Sequence, residues 1–210
     1  MHIASIARLY NKPADAYKPM IKRAVEDEDQ IVRVYEPLRY AVVAEAQNPG
    51  RGLAVLNRKL PELDNMRYAE SLKKHNVIAF QRFCTDFSSN WPTFGEHYLD
   101  SRKQLSPVSL GSHEISGRFH FSALTPKGRR QFVYVCASEH DSDTIFALRE
   151  LLAIIGEQRH DCDRNQVVLL DLNVGAMHLP HTSYLNTRKK LESVLTIGSL
   201  IEKEYRKRAA

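Results

Sequence analysis

Residues 131–172 set the tightest limit on the fold. "QFVYVCA" (131–137) carries no charge, "TIFALRELLAIIG" (144–156) is apolar around most of a helical circumference, and "QVVLLDL" (166–172) is a nearly continuous apolar run. A strand without polar alternation is buried on both faces, and strands of that kind belong to sheets covered by helices on either side. The order strand, apolar helix, strand is that of a helical crossover joining two parallel strands. Upstream, "PVSLGSHEISGRFHFSAL" (107–124) alternates and is rich in β-formers, and "TPKGRR" (125–130) places Pro126 and Gly128 as a turn requires. The two arms predict an antiparallel hairpin, with Phe119 and Phe121 on one face and Arg118, His120 and Ser122 on the other. Asp141, Ser142 and Asp143 are candidate N-caps for the crossover helix, and Gly156 is its expected stop. The chain is therefore expected to be α/β, a mixed central sheet flanked by helices.

The first ninety residues follow a helical period. Asp15 is a candidate cap for a helix with Ala16, Tyr17, Met20, Ile21, Ala24 and Val25 on one face, and residues 26–30 ("EDEDQ") suit a solvated end. Pro37 suits the first turn before "LRYAVVAEAQ", and "QNPGRG" (47–52) is a break. Residues 65–87 carry the clearest stripe of this half: Leu72, Ala79, Phe80, Phe83, Cys84 and Phe87. Pro92 and Gly95 end that helix, and Trp91 is expected to anchor the connection in the core. Residues 184–207 read as a long amphipathic helix with a stripe of Tyr184, Leu191, Val194, Leu195, Leu200 and Ile201. The expected organisation is a helical region over 1–90 packed on an α/β core over 91–210, together one domain.

Charge and cysteine usage narrow the setting. The formal net charge of +5 permits contact with polyanions without requiring it. Cys84, Cys136 and Cys162 are odd in number and widely spaced, which argues against a disulfide framework or zinc knuckle and for a reducing compartment. No stretch approaches the ~18 apolar residues a membrane span needs, so the expected location is the cytosol, away from membranes.

The order of elements over roughly residues 70–185 resembles the core of the PD-(D/E)XK nuclease superfamily, especially its RecB-like branch. The phrases that carry the resemblance are "NVIAFQRF" in the preceding helix, "ISGRFHF" in the strand, "FALRELLAIIG" in the buried helix and "VVLLDLNVG" in the following strand. The resemblance implies a restriction-endonuclease-like core. It also implies a Gly-x-x-Asp acid in the first strand and an acid and lysine two apart in its companion. Here Gly117 is followed three residues later by His120, and Tyr134, Val135, Cys136, Ala137 and Ser138 fill the companion slots. Mg²⁺ takes hard oxygen ligands, so these side chains cannot build the usual centre, and the resemblance then implies a decayed catalytic motif.

Two other constellations are open. His113, His120 and Glu139 offer imidazole and carboxylate ligands for a transition metal, so that a divalent ion, Mn²⁺ or Mg²⁺, could serve an atypical phosphodiesterase. Against that, His120 reads more readily as a half-buried strand histidine bonded to its surroundings. "SEHDSD" (138–143) reads as a helix cap, Asp171 as a strand-end acid bonded to backbone, and His178 and His181 as loop residues. Second, Arg118, Lys127, Arg129 and Arg130 around the hairpin, with Arg188, Lys189 and Lys190 on the last helix, are candidates to track a phosphate backbone. No phosphate loop or nucleophile elbow is present, and no organic cofactor is indicated. The expected role is nucleic-acid association on a decayed nuclease-like scaffold. A metal-dependent hydrolase and a protein-interaction module are the alternatives.

Overall fold

The computed structural model describes residues 1–26, 34–99, 106–180 and 185–209. Seven α-helices appear among them: α1 (Ile3–Leu9), α2 (Ala14–Glu26), α3 (Glu36–Gln47), α4 (Gly52–Lys59), α5 (Ala69–Asp86), α6 (Ser142–His160) and α7 (Leu185–Ala209). The strands are β1 (Thr93–His97), β2 (Val108–Leu110), β3 (His113–Ile115), β4 (Phe121–Leu124), β5 (Arg130–Cys136), β6 (Val167–Asp171) and β7 (Ala176–His178). Five form one mixed sheet in the order β1-β4-β5-β6-β7, while β2 and β3 make a separate two-stranded ribbon. β5 and β6 are parallel, in register from Phe132 opposite Val167 to Cys136 opposite Asp171, and every other neighbouring pair is antiparallel.

The sheet is the middle of three layers. Phe132, Tyr134, Cys136, Val167 and Leu169 join one buried cluster with residues of α1, α2, α6 and α7, and Val133, Val135, Val168 and Leu170 join another with α3, α4 and α5. That is why the two parallel strands read as continuous apolar runs: both faces are packed. The N-terminal helices divide between the layers, α1 and α2 lying with the C-terminal helix and α3 to α5 covering the opposite face. Asn76, fully buried on α5, docks α3. Its Oδ1 accepts from the Leu38 N–H at 3.1 Å, and its Nδ2 donates to Val34 O at 3.0 Å and Leu72 O at 2.8 Å.

Several elements differ from the expectation. The arm 107–124 is not one strand; it turns at residues 111–112 between β2 and β3, Ser116 makes an isolated parallel bridge to His2, and residues 117–120 belong to no strand. Gly117 sits there so tightly that an added Cβ would lie 2.6 Å from Ile3 Cδ1 and 2.8 Å from Ile155 Cδ1. The alternation resets across this gap. Phe119 packs under α6 beside Phe132 and His160, while Phe121 packs on the other side of the sheet against Trp91.

Gly156 does not stop α6. It is where the helix passes closest to Cys162 and Val167, and α6 continues to His160, with Asp161 left-handed at φ +47°. The cap at its other end is Asp141, whose side chain accepts from the Thr144 N–H. The breakers Pro92 and Gly95 lie just before and within the edge strand β1, whose register shifts between Phe94 and Glu96. An edge strand with a bulge tolerates both residues.

Trp91 is buried as expected and donates from Nε1 to Gln131 Oε1 at 2.8 Å. β7 was not legible in the loop after β6. α2 begins at Ala14, so Asp15 lies in its first turn. On α7, Leu191, Val194 and Leu195 are buried but Leu200 is exposed; residues 27–30, His181 and Tyr184 lie outside the described residues.

Candidate functional site

The sheet's most polar interior lies where β4 begins beside the second half of β5. His120 is 3% exposed and held on both sides: its N–H donates to Val133 O at 2.8 Å, and its carbonyl accepts from the Tyr98 N–H at 3.0 Å. Its Nδ1 accepts from the Val135 N–H at 2.8 Å, which places the proton of a neutral ring on Nε2. The ring stacks on Tyr134 with centroids 4.6 Å apart. Burial holds the imidazole well below its usual pKa, and the nearby charges of Arg39, Arg118 and His2 push the same way. Burial likewise raises the Tyr134 phenol and the Cys136 thiol. All three side chains are therefore uncharged near neutral pH.

Beyond Cys136 the chain reaches the C-terminal ends of the parallel strands, the end of an α/β sheet where ligands commonly sit. Ser138 Oγ lies 2.9 Å from His140 Nε2, and burial together with Arg8 lowers the His140 pKa. Asp171, 3% exposed, accepts from the Asn173 N–H at 2.9 Å and the Val174 N–H at 3.4 Å, the backbone-bonded strand-end role expected of it. His75 Nε2 bonds to Ala137 O at 2.8 Å and its ring faces Tyr35 at 5.5 Å, so α5 and the residue before α3 border the same end. Tyr35 is itself in the field of Arg39 and Arg8.

The proposed metal ligands are not brought together. His113 stands on β3, its Nε2 2.9 Å from Thr196 Oγ1 of α7. His120 lies inside the main sheet with Nδ1 already engaged, and Glu139 is exposed in the connection from β5 to α6. No group of three His, Cys, Asp or Glu side chains among the described residues is arranged to hold a metal ion. Asp141 spends its carboxylate on the α6 cap and on Lys12, at 2.5 Å. His178 keeps a buried Nε2 without a hydrogen-bond partner among the described residues and is lowered in pKa by burial first and Arg149 second.

The candidate phosphate-tracking cations also separate. Arg118 is partly buried and donates Nη1 to Leu99 O. Lys127, Arg129 and Arg130 are exposed around the turn, at the opposite end of β4. On α7, Arg188 pairs with Glu192 at 3.3 Å, Lys190 bonds to Asn11 Oδ1 and covers the Tyr10 ring at 4.8 Å, and Lys189 is exposed. Two arginines not singled out from the sequence, Arg8 on α1 and Arg39 on α3, act instead on the His120–Tyr134 region. The available signal was Arg8 as the one Lys, Arg, Asp or Glu in residues 1–11, and Arg39 beside the apolar face of its helix.

Comparison of the chain with protein-family models, with curated proteins and with solved structures finds no match.

Proposed function

We propose that this protein binds nucleic acid without cutting it, on a scaffold resembling the PD-(D/E)XK nucleases in which neutral side chains occupy the metal-holding positions. The observation that carries the reading is the buried His120–Tyr134 stack beside Cys136. His120 stands where the resemblance expects an acid, and Tyr134 and Cys136 are among the slots, Tyr134 to Ser138, in which it expects an acid and a lysine two apart. A stacked imidazole with an occupied Nδ1, a buried phenol and a buried thiol offer none of the hard anionic oxygens that Mg²⁺ selects. What remains is a neutral floor with arginines in electrostatic reach, an arrangement for holding phosphate rather than for activating water. The reading requires no bound cofactor, and no helix among the described residues is long and apolar enough to cross a membrane.

The test is fluorescence anisotropy of the full chain with labelled single- and double-stranded oligonucleotides across a salt series. Micromolar binding at low salt is expected, its logarithm falling with log salt at a slope of about −2 to −3 for three phosphate contacts. Absent binding at low salt, or binding indifferent to salt, overturns the reading. Cleavage of the oligonucleotide with Mg²⁺ or Mn²⁺ overturns its non-catalytic half. A protein partner recovered without nucleic acid would shift the assignment to an interaction module.

A further inference from the structure

We propose that Ser138 and His140 are a nucleophile and its general base, in a hydrolytic site for neutral carboxylic esters at the C-terminal end of the two parallel strands. Neither residue figures in the nucleic-acid reading, so the two proposals stand or fall separately.

β5 ends at Cys136 and α6 begins at Ser142, so both residues lie in the connection from a parallel strand to its crossover helix. That connection leaves from inside the sheet, where β5 and β6 run side by side, the place in an α/β fold that ligands favour. Ser138 Oγ lies 2.9 Å from His140 Nε2, and both residues are partly open to solvent. Cys136 Sγ stands 3.7 Å from the same hydroxyl. A hydroxyl has one proton and two lone pairs, so a protonated thiol that donates to Oγ leaves the serine proton to point at Nε2. His75 Nε2 anchors the start of the connection by its 2.8 Å bond to Ala137 O. Asp171, in register with Cys136, keeps Oδ2 without a hydrogen bond among the described residues and favours the charged form of His140.

Neither side chain is needed to hold α6, because Asp141 supplies the cap by accepting from the Thr144 N–H at 2.8 Å. A hydroxyl within hydrogen-bond reach of a neutral imidazole is the pair that acyl transfer requires. Attack forms the bond from Ser138 Oγ to the ester carbonyl carbon while the hydroxyl proton passes to His140 Nε2. The ester C–O bond then breaks, and the alcohol leaves with that proton. Water attacks the acyl-serine and gives a proton to His140; the carboxylic acid departs as the proton returns to Ser138 Oγ. Glu139, Asp141 and Asp143 alternate with and follow the pair. Their carboxylates repel an anion at this place, a phosphodiester included, so the ester that enters is a neutral one.

The experiment treats the full chain with a neutral fluorophosphonate probe and maps the labelled peptide by mass spectrometry. Labelling forms the bond from Ser138 Oγ to phosphorus, breaks the P–F bond and releases fluoride, with the hydroxyl proton taken by His140. The parent chain is expected to carry the label at Ser138 and to hydrolyse p-nitrophenyl acetate until it is labelled. Ser138→Ala should lose both reactions, and His140→Gln should slow both about a hundredfold, the usual share of a positioned base. Mapping is read on the parent chain itself, so the result holds even where a variant folds poorly. A folded parent without label at Ser138, or a labelling rate unchanged in His140→Gln, overturns the site and leaves the nucleic-acid reading standing. Salt-insensitive or absent oligonucleotide binding overturns that reading and leaves the ester site untouched.

Discussion

The hairpin of β4 and β5 carries cations at both ends, and the two ends are built differently. At the turn, Lys127, Arg129 and Arg130 project into solvent from a loop held by its own backbone: the Thr125 N–H donates to Arg129 O at 2.9 Å and the Gly128 N–H to Thr125 O at 2.8 Å, with Gly128 at φ +73°. At the base, Arg118 leads into His120, whose Nδ1 accepts from the Val135 N–H and whose ring stacks on Tyr134, with Arg8 and Arg39 on two other helices. The turn cations are exposed and constrain nothing; the arginines of the base are partly buried on elements that long-range packing brings to the sheet. Charge alone therefore does not locate a binding site. The two ends can be told apart by measuring each.

The largest effect is expected from His120→Ala. It leaves the buried Val135 N–H without its acceptor and opens a hole against Tyr134, for a combined cost of about 3 kcal/mol. His120→Asn presents Oδ1 near the place of Nδ1 and should recover about half of that loss. Urea unfolding of the three chains measures both. A cost under about 1 kcal/mol for the alanine variant would mean that the base is no better built than the turn.

This contrast also marks how far the sequence could be read. The crossover from β5 through α6 to β6 was legible because two nearly unbroken apolar strands flank a helix apolar around most of its circumference, a pattern few architectures satisfy. The turn at Gly128 and the cap at Asp141 were legible because their chemistry is local. The continuous strand over 107–124 was misjudged because alternation persists in the sequence across residues 116–120, while the need to fit Gly117 between Ile3 and Ile155 is set by elements far away in the chain. The base of the hairpin was half legible for the same reason. His120 and Arg118 belong to the strand phrase, but Arg8 and Arg39 join them only through the docking of α1 and α3, which no local pattern encodes.

Acid should separate the two ends next. In the unfolded chain His120 titrates near pH 6.5, whereas burial holds its folded pKa well below that value. The unfolded state then binds the additional proton, so stability is full above about pH 6.5 and falls as the pH drops below it, by up to about 1.4 kcal/mol per pH unit for this group. Asp141 shifts in the same sense, down to about 2 through its bonds to Lys12 and Thr144, but its contribution is lost only as the pH falls below about 4. Stability curves at successive pH values should show a decline beginning near pH 6.5 that is shallower in His120→Asn; an unchanged slope would remove His120 as its source.

The smallest effect is expected where the exposed charge is densest. Replacing Lys127, Arg129 and Arg130 together by alanine leaves intact every bond that holds the turn, including the Gln166 Nε2 donation to Arg130 O and the Arg129 N–H donation to Thr125 Oγ1, both at 3.2 Å, because none of these bonds uses a replaced side chain. Stability should change by less than about 0.5 kcal/mol. Exposed charges speed encounter with a polyanion more than they hold it, so affinity should fall less than about threefold, mainly through the association rate. Stopped-flow binding alongside equilibrium anisotropy separates the two contributions. A tenfold loss of affinity from the turn would invert the comparison and move the contact surface to the solvated tip.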